Sequence, residues 1–379
     1  MNYNIAVFSV ELFTPTAKFI KRDFEGLGNV TFFSNKKRIP SKDFTNIEIS
    51  SPRFSFFERL ISYISRKLQI KYFFMSSRMK KYYRHEFKNN NIDVVVAHFG
   101  PSGIDILDIC KELNIPLITV FHGYDISKLI SNKAYLRGLT KLNNYKLMNA
   151  RAVSSFFVKD LSNYIDKSKI FVLENGVEVR ETFQLPTFND QIYIIQASNL
   201  VEKKGIKYSI KSVKKLIDLF PDKHIQFDIC GDGVLRSDLE ELVGAKYKDN
   251  IIFHGHLAGS KFETIIKRSN IFMHPSVTDS NNETETIPTA ILEAMSNGKI
   301  VVSTFHAGIP EVIEDGYNGF LVEEKNSNQL TEILTNIISN KYDLEEVSSN
   351  AHKTIFENFN SVTQYKKFKK EINRINNEK

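Results

Sequence analysis

The sequence predicts an α/β protein built from two doubly wound, Rossmann-like domains with parallel sheets. Short apolar, β-rich runs alternate with helical stretches along nearly the whole chain. Connections of about ten or more residues between such runs are typical of parallel strands that are covered on both faces. The length of 379 residues also exceeds what one hydrophobic core usually supports. We therefore expect two domains in series that face each other across a cleft, with ligands bound beyond the carboxyl ends of the strands.

Each predicted strand is a short apolar run bounded by polar or turn-forming residues. In the first half of the chain the predicted strands are Ile5–Ser9, Val30–Phe33, Val94–His98, Leu117–Phe121, Ala152–Ser155 and Ile170–Leu173. In the second half they are Tyr193–Ala197, Gln226–Cys230, Ile251–Phe253, Ile271–His274, Ile300–Ser303 and Gly319–Val322. A polar stretch with Pro186 separates the two sets. We expect one domain over residues 1–182 and a second over 183–360.

The composition excludes several classes of protein. Hydrophobic residues make up 42% and charged residues 25% of the chain, as in soluble globular proteins. No apolar run reaches the length of a membrane span, and the first residues lack the basic region of a signal peptide. Cys110 and Cys230 fall in different predicted domains, so neither a disulfide framework nor a zinc site is expected. These features favour the cytoplasm.

The net charge of +7 favours an anionic partner. No nucleic-acid-binding motif accompanies this charge, so nucleic acid is not an expected partner.

The stretch from Glu285 to Gly298 carries the strongest indication of function. Thr286 is of a residue type that caps helices, Pro288 suits a first helical turn, and Gly298 is a typical stop. The exposed N–H groups of such a first turn, together with the helix dipole, attract phosphate oxygens. Glu293 would lie roughly 7–8 Å further down the helix. That distance matches the span from a diphosphate to the ribose hydroxyls of a nucleotide, while Glu285 would face a sugar on the other side. An amphipathic helix with two solvated glutamates is the simpler alternative.

The same stretch resembles the E-x7-E motif of retaining glycosyltransferases with the GT-B fold (family 4), usually E-G-x-P-x-x-x-L-E-A-M-x-x-G. Thr286 stands where glycine is common. The resemblance implies a donor site for a nucleotide-sugar that Glu285, Thr286, Ile287, Pro288, Thr289 and Glu293 would line. It also implies that residues 361–379 form a helix packing back on the N-terminal domain, which would bind the acceptor.

Further blocks extend the resemblance. Phe121–Ser127, F-H-G-Y-D-I-S, is similar to the family loop whose histidine reaches the hydroxyls of the donor sugar. This similarity gives His122 that role and Asp125 a supporting one. His98 also ends a predicted strand, as a possible further contact. Phe13–Ile20 is similar to the F-P-x-x-S-E-T-F-I stretch of exopolysaccharide and colanic-acid-type transferases, with Thr14 or Thr16 as a helix cap.

The second domain begins with a departure from the family pattern. The usual G-R-L-x-x-x-K-G supplies an arginine and a lysine to the donor diphosphate. Lys204 matches the lysine, but Asn199 occupies the arginine position, so one cation is missing unless Lys203 or another residue replaces it. His256 and Leu257 follow a predicted strand in the loop that lies against the nucleobase in the family.

Residues 52–88 combine basic with aromatic and aliphatic side chains. A basic helix with an apolar face is what contact with an anionic membrane surface requires. A long helix that packs its apolar face in the core and solvates its basic face explains the composition equally well. The basic residues of the segment are Arg53, Arg59, Arg66, Lys67, Lys71, Arg78, Lys80, Lys81, Arg84 and Lys88.

Together these features predict a retaining hexosyltransferase of bacterial surface-polysaccharide assembly. The resemblance implies transfer from a UDP- or GDP-sugar to a polyprenyl-diphosphate-linked oligosaccharide at the inner face of the cytoplasmic membrane. It implies neither a metal nor another cofactor, because the helix dipole and basic side chains would offset the diphosphate charge. One alternative is a GT-B phosphorylase. The other is a catalytically silent scaffold of an assembly complex, and the departure at Asn199 keeps this second alternative open.

Overall fold

The computed structural model describes residues 3–9, 20, 23–24, 29–34, 49–50, 55–68, 75–179, 182–257 and 259–378. The chain forms two compact units. The first comprises residues 1–176 and 361–379, and the second comprises 177–360. The division after Gly176 falls a few residues before the expected boundary at 182/183. Each unit contains a parallel sheet with helices in its connections, which confirms the predicted fold class.

The first unit contains a parallel sheet of order β3-β2-β1-β4-β5-β6-β7. The order reverses between β1 and β4, which is where ligands bind in doubly wound sheets. Apolar side chains cover both faces, as the unbroken apolar runs predicted. The strands are β1 (Asn4–Ser9), β2 (Asn29–Ser34), β3 (Ile49–Ser50), β4 (Val94–His98), β5 (Leu117–Phe121), β6 (Met148–Ala152) and β7 (Ile170–Val172).

The prediction of a strand at Ala152–Ser155 was wrong, because β6 ends where that strand was expected to begin. The polar residues Asn149 and Arg151 inside β6 hid it from a search for apolar runs. Arg151 is fully buried, and its guanidinium group has both a charged and a backbone hydrogen-bond partner. It pairs with Asp23 at 2.5 Å and donates to the carbonyl oxygen of Leu173 at 2.8 Å.

The helices of the first unit lie in the connections between strands, except the last one. That helix, α7, is contributed by the end of the chain, and its Phe368 and Ile372 pack in one cluster with Ile5 and Val7 of β1. The helices are α1 (Phe56–Lys67), α2 (Ser77–Asn89), α3 (Gly100–Leu113), α4 (Tyr124–Ser127), α5 (Lys133–Asn143), α6 (Val158–Leu161) and α7 (Ser361–Asn377).

The segment 52–88 was expected as one helix, but its described residues form two, α1 and α2. The side chain of Ser76 accepts the backbone N–H of Met79 and so caps the second helix. The second helix, α2, buries Met79, Tyr83 and Phe87 in the core. Its basic side chains pair with α3, Lys80 with Asp108 and Arg84 with Glu112. The core-packing alternative therefore holds for α2.

The second unit contains a parallel sheet of order β10-β9-β8-β11-β12-β13, which reverses between β8 and β11. Four of its helices lie in the connections between strands and the last two follow the final strand, and together they cover both faces of the sheet. The strands are β8 (Gln191–Ala197), β9 (His224–Cys230), β10 (Ile251–Gly255), β11 (Ile271–His274), β12 (Ile300–Thr304) and β13 (Phe320–Val322). The helices are α8 (Ile206–Leu219), α9 (Arg236–Val243), α10 (Ser260–Arg268), α11 (Thr289–Ser296), α12 (Ser327–Ile338) and α13 (Leu344–Thr354).

The helix that was expected to be capped by Thr286 begins later. Pro288 is its cap residue, in extended conformation, and α11 starts at Thr289. Ile287 is buried in the core cluster beside α11, and this burial keeps the chain extended up to the proline. The predicted stop was right, since Gly298 follows the helix with a φ of +68°, a conformation that glycine adopts without strain.

Candidate active site

The point of reversal in the second sheet brings together a lysine and a glutamate from two neighbouring loops. Lys204 follows β8 and Glu285 follows β11, and the Lys204 Nζ donates to Glu285 Oε2 at 2.6 Å. Gly205 fixes this turn, with a φ of +65° and a position where a Cβ atom would lie 1.8 Å from the carbonyl oxygen of Pro275. Only glycine fits there, which explains the Lys-Gly pair in the sequence.

Glu285 is a buried charge that depends on its cationic neighbours. Only 8% of the residue is exposed, and Lys203 Nζ lies 3.5 Å from its other carboxylate oxygen. Burial alone would raise the pKa of Glu285, but the charges of Lys204 and Lys203 outweigh burial and lower the pKa to about 2. Glu285 is therefore an anion at neutral pH. It can accept hydrogen bonds or balance positive charge, and it cannot donate a proton.

Two residues that the sequence analysis did not single out hold the backbone of Glu285. The ring Nε2 of His306, after β12, accepts the backbone N–H of Glu285 at 3.0 Å. The ring Nδ1 lies 2.5 Å from Glu324 Oε1, after β13. These partners lie 21 and 18 residues from His306 along the chain, so no local pattern could reveal them. The sequence signal for His306 was its position three residues after the predicted strand Ile300–Ser303.

The start of α11 supplies backbone N–H groups next to Glu285. Pro288 has no side-chain acceptor, and the structure contains no side-chain cap at this end. Ile287 and Pro288 are buried, while Thr286 and Thr289 are half-buried. The first-turn N–H groups and the positive end of the helix dipole are therefore arranged as in phosphate-binding helices. Glu293 lies half-buried in the next turn of the same helix.

The other expected donor contacts also follow strands of this sheet. Asn199 is exposed directly after β8, and His256 is exposed after β10. Leu257 packs against the core cluster beneath α11. Because all six strands are parallel, these loops and those of Lys204 and Glu285 lie at the same, carboxyl edge of the sheet.

The first unit contains a second group of predicted site residues. His98 ends β4 and His122 follows β5, and their rings stack with His98 Nδ1 3.1 Å from His122 Nε2. Asp125 is fully buried and accepts the backbone N–H of Gly100 at 2.8 Å and of His122 at 3.3 Å. One carboxylate thus ties together the two loops that carry the histidines.

Burial controls the charge of this group. Burial and the charge of Arg151 lower the pKa of His122 to about 3. The pKa of His98 is also held well below its ordinary value, by burial first and then by His122 and Arg151. Burial raises the pKa of Asp125 to about 6, although its backbone hydrogen bonds act in the opposite direction. Both histidines are therefore neutral near pH 7 and suited to hydrogen bonding rather than to carrying charge.

The backbone is strained at Phe99, in the loop that follows β4. Phe99, next to His98, has a φ of +71° and a ψ of 142°, a region that favours glycine. Its ring contacts that of His122 with a centroid distance of 4.5 Å. Strain of this kind persists where the surroundings fix the chain, and it concentrates at functional sites.

The described residues contain neither a membrane-spanning helix nor a cluster of metal ligands. No helix in that part of the chain is long and apolar enough to cross a membrane. Within the same residues, no group of three or more His, Cys, Asp or Glu side chains is arranged to hold a metal ion. Phe13–Ile20, with Thr14 and Thr16, lies outside the described residues except for Ile20.

Similarity to solved structures defines the fold. HepE of Anabaena in complex with UDP-glucose matches with a TM-score of 0.77 and 16% identity, over 98% of this chain and 99% of that one. A glycosyltransferase from Rickettsia africae matches with a TM-score of 0.73 and 19% identity, over 99% of both chains. At these identities the likeness concerns the fold alone, which is GT-B.

Two family models then match adjacent parts of the sequence. Residues 177–354 match the glycosyl transferases group 1 family, and residues 44–181 match glycosyltransferase family 4. The chain therefore contains a glycosyltransferase family 4 domain and a glycosyl transferases group 1 domain, which together span residues 44–354.

Two curated relatives are 28–29% identical to this chain over the aligned residues. A protein named as a colanic acid biosynthesis glycosyltransferase of Salmonella typhimurium is 29% identical over 71% of this chain. An amylovoran biosynthesis glycosyltransferase of Erwinia amylovora is 28% identical over 75% of this chain. The matches cover 67% and 70% of those proteins, and 60% of the related Escherichia coli protein.

Proposed function

We propose that the protein transfers a hexose from a UDP- or GDP-sugar to a sugar hydroxyl of a lipid-linked oligosaccharide during bacterial exopolysaccharide assembly. The observation that carries this proposal is the contact between Lys204 and Glu285 beside the uncapped start of α11. The names of the relatives, colanic acid and amylovoran glycosyltransferases, support the pathway class. The UDP-glucose bound by HepE supports the donor class.

Each residue of the second unit then has a defined task. The first turn of α11 binds diphosphate oxygens, and the Glu293 carboxylate accepts hydrogen bonds from the ribose hydroxyls. Lys204 places a positive charge beside the diphosphate. Lys203 Nζ lies 3.5 Å from Glu285 Oε1 and supplies the cation that Asn199 does not. Asn199, Thr286, Ile287, Thr289, His256 and Leu257 complete the donor contacts.

The proposed reaction proceeds with retention. The bond from the anomeric carbon to the diphosphate oxygen breaks, and a bond to the acceptor oxygen forms on the same face of the sugar. The acceptor proton passes to the departing diphosphate. Because the pKa of Glu285 is about 2, this residue acts as a fixed anion facing the sugar and not as an acid. His122, positioned by Asp125 and His98, binds sugar hydroxyls as a neutral imidazole. Catalysis on this account is electrostatic preorganisation and positioning.

The protein would need no metal ion, because Lys203, Lys204 and the helix dipole offset the diphosphate charge. The check is turnover after dialysis against a chelator. The proposal predicts an unchanged rate and no gain from added Mg²⁺ or Mn²⁺. A rate that is lost on chelation and restored by either ion would contradict it.

The acceptor is proposed to be a polyprenyl-diphosphate-linked oligosaccharide at the inner face of the cytoplasmic membrane, which the protein would reach through α1. The aromatic side chains of α1 face solvent, with Phe56 74% and Phe57 71% exposed. A capping box fixes the start of this helix, in which Ser55 N–H donates to Glu58 and Glu58 N–H to Ser55 Oγ. Glu58 also pairs with Arg78, which holds α1 against the start of α2. The helix is thus anchored while its apolar face remains open to lipid.

A donor panel tests the proposed function. Thermal shifts with UDP- and GDP-sugars identify the donor, and turnover with lipid-linked acceptor in anionic vesicles then tests transfer. The proposal requires a free nucleoside diphosphate and a longer acceptor glycan. Consumption of inorganic phosphate would indicate a phosphorylase instead. Failure to bind or turn over any donor would support the silent scaffold.

A further inference from the structure

We propose that His306 and Glu324 are positioning residues that set the backbone of Glu285 and close the loop leading to it. This inference rests on the proposed function only where it concerns rate. Nothing in the donor contacts assigned above involves either residue.

The hydrogen bonds define which ring nitrogen of His306 carries the proton. Its Nε2 accepts the Glu285 backbone N–H at 3.0 Å, so this nitrogen has no proton of its own. The proton is therefore on Nδ1, which donates to Glu324 Oε1 at 2.5 Å. His306 is only 1% exposed, so water cannot easily replace either partner. The ring acts as a rigid spacer between a backbone amide and a carboxylate.

Glu324 holds the other end of the same loop. Its Oε2 accepts the backbone N–H of Thr278 at 2.8 Å, and its Oε1 lies 3.4 Å from the Thr278 hydroxyl. Thr278 and Glu285 bound the polar stretch between them. One carboxylate from the loop after β13 therefore fixes the first residue of this stretch directly and the last residue through His306.

The interior of the stretch is held by hydrogen bonds within it and by one to Glu202. Asp279 Oδ1 accepts the backbone N–H groups of Asn281 and Glu283, each at 2.8 Å. Ser280 Oγ donates to Glu202, which precedes the two lysines, at 2.7 Å. The stretch is thus a preformed unit, and the direction of the Glu285 carboxylate depends on how its ends are held.

The consequence for the reaction follows from geometry. Lys204 engages the side chain of Glu285, while His306 engages its backbone. Loss of the His306 contact would leave the amide without an acceptor and allow the carboxylate to follow Lys204 to a new position. Displacement of a catalytic group by about 1 Å can lower a rate by roughly 100-fold. Nucleotide binding at Glu293, on the helix beyond Pro288, would change much less.

Three variants separate positioning from general damage. His306→Leu fills space but neither accepts nor donates. His306→Gln keeps an amide oxygen to accept and an amide N–H to donate. His352→Leu, at a buried histidine of α13, is the control for losing an imidazole. We expect His306→Leu to lower kcat by roughly 10- to 100-fold with donor KM little changed. The glutamine variant should recover most of the loss, and His352→Leu should retain the full rate.

A double variant tests whether Glu324 acts through His306. If it does, His306→Leu with Glu324→Ala should be no slower than the slower of the two single variants, because residues acting as one unit are not additive. Losses that multiply would overturn the coupling. An unchanged kcat in His306→Leu, or a loss carried wholly by KM, would overturn the positioning role.

A second readout does not depend on turnover. Amide hydrogen exchange, followed by NMR, should show slow exchange of the Glu285 N–H in the wild type and in His306→Gln. Exchange should be at least about tenfold faster in His306→Leu, since the buried acceptor is gone. Equal exchange rates in the wild type and His306→Leu would refute the inference. If the wild type transfers no sugar but the exchange rates differ as expected, the proposed function fails and the positioning role stands.

Discussion

The Lys204 ammonium and the Glu285 carboxylate meet at 2.6 Å across the point where the strand order of the second sheet reverses. They come from loops 81 residues apart, and both are largely buried. A buried pair of this kind costs desolvation energy, so its presence is poorly explained by stability alone. Its place at the ligand-binding edge of the sheet supports a role in chemistry.

Lys204→Ala should slow transfer more than it weakens donor binding. Negative charge grows on the leaving diphosphate as the glycosidic bond breaks, so a fixed cation favours the transition state. Removing one such electrostatic contact typically lowers kcat by about 10²–10³. Lys203→Ala removes the second proposed cation, at the longer distance of 3.5 Å from Glu285, and should slow transfer by a smaller factor than Lys204→Ala. A fall in kcat/KM carried entirely by KM would show that Lys204 binds ground state and transition state equally.

Substitutions of the two glutamates of the E-x7-E motif, Glu285 and Glu293, should have different effects on nucleotide binding and on turnover. Glu293→Gln should weaken binding of free UDP or GDP, because an amide offers one acceptor where a carboxylate offers two. The loss should be roughly 1.5–3 kcal/mol, measured by titration calorimetry. Glu285→Gln should bind the free nucleotide normally and turn over slowly. The assignment of Glu293 fails if its variant binds UDP and GDP as the wild type does, and that of Glu285 fails if both variants lose nucleotide binding equally.

The pH dependence of the free energy of unfolding should reveal the raised pKa of Asp125. Its folded-state pKa is raised from 3.8 to about 6, so its contribution to stability is full below pH 3.8 and declines as pH rises through 6. The wild type should therefore lose stability relative to Asp125→Asn between about pH 4 and pH 6, by on the order of 3 kcal/mol. Urea unfolding at several pH values measures this.

Glu285→Gln is the control of opposite sign for that experiment. The folded-state pKa of Glu285 is lowered to about 2, so its contribution is present above pH 4.5 and declines only as pH falls toward 2. The stability difference between wild type and Glu285→Gln should be nearly constant from pH 5 to pH 7. If the stability difference between the wild type and Asp125→Asn stays constant over the whole pH range, the raised pKa of Asp125 is contradicted.

Membrane binding should depend on α1 and not on α2. Replacing Phe56 and Phe57 with serine should abolish the salt-resistant part of flotation with anionic vesicles, because insertion of apolar side chains is not screened. Lys80→Gln with Arg84→Gln should have little effect, since those charges already pair with Asp108 and Glu112. Val234→Ser, which changes an exposed apolar residue of the second unit, is the control. Absence of wild-type flotation at low salt, or an equal loss in Val234→Ser, would end the membrane proposal.

The sequence was sufficient for much of the fold because most strands are unbroken apolar runs. β4, β5 and β11 begin and end where those runs predicted. β6 was misplaced because the partners that allow Arg151 to be buried, Asp23 and the Leu173 carbonyl, come from distant parts of the chain. β3 has only two residues and leaves no periodicity to detect.

The candidate site also contains residues that the sequence could indicate and residues that it could not. Lys204 and Glu285 lie in local motifs, so the sequence could indicate them, although not their direct contact. The roles of His306 and Glu324 could not be predicted, because their contacts join loops that only the sheet brings together. The start of α11 was misjudged because burial of Ile287, a tertiary effect, outweighed the capping preference of Thr286.

Transfer itself is tested most directly by following one reaction by NMR. The purified protein is mixed with the donor from the panel and the lipid-linked acceptor in anionic vesicles. Phosphorus spectra report the nucleotide, and proton spectra report the anomeric centre of the new linkage. The account predicts one nucleoside diphosphate released per sugar transferred, the same anomeric configuration in donor and product, and a much slower reaction in Glu285→Gln. An inverted product, or undiminished transfer by Glu285→Gln, would contradict it.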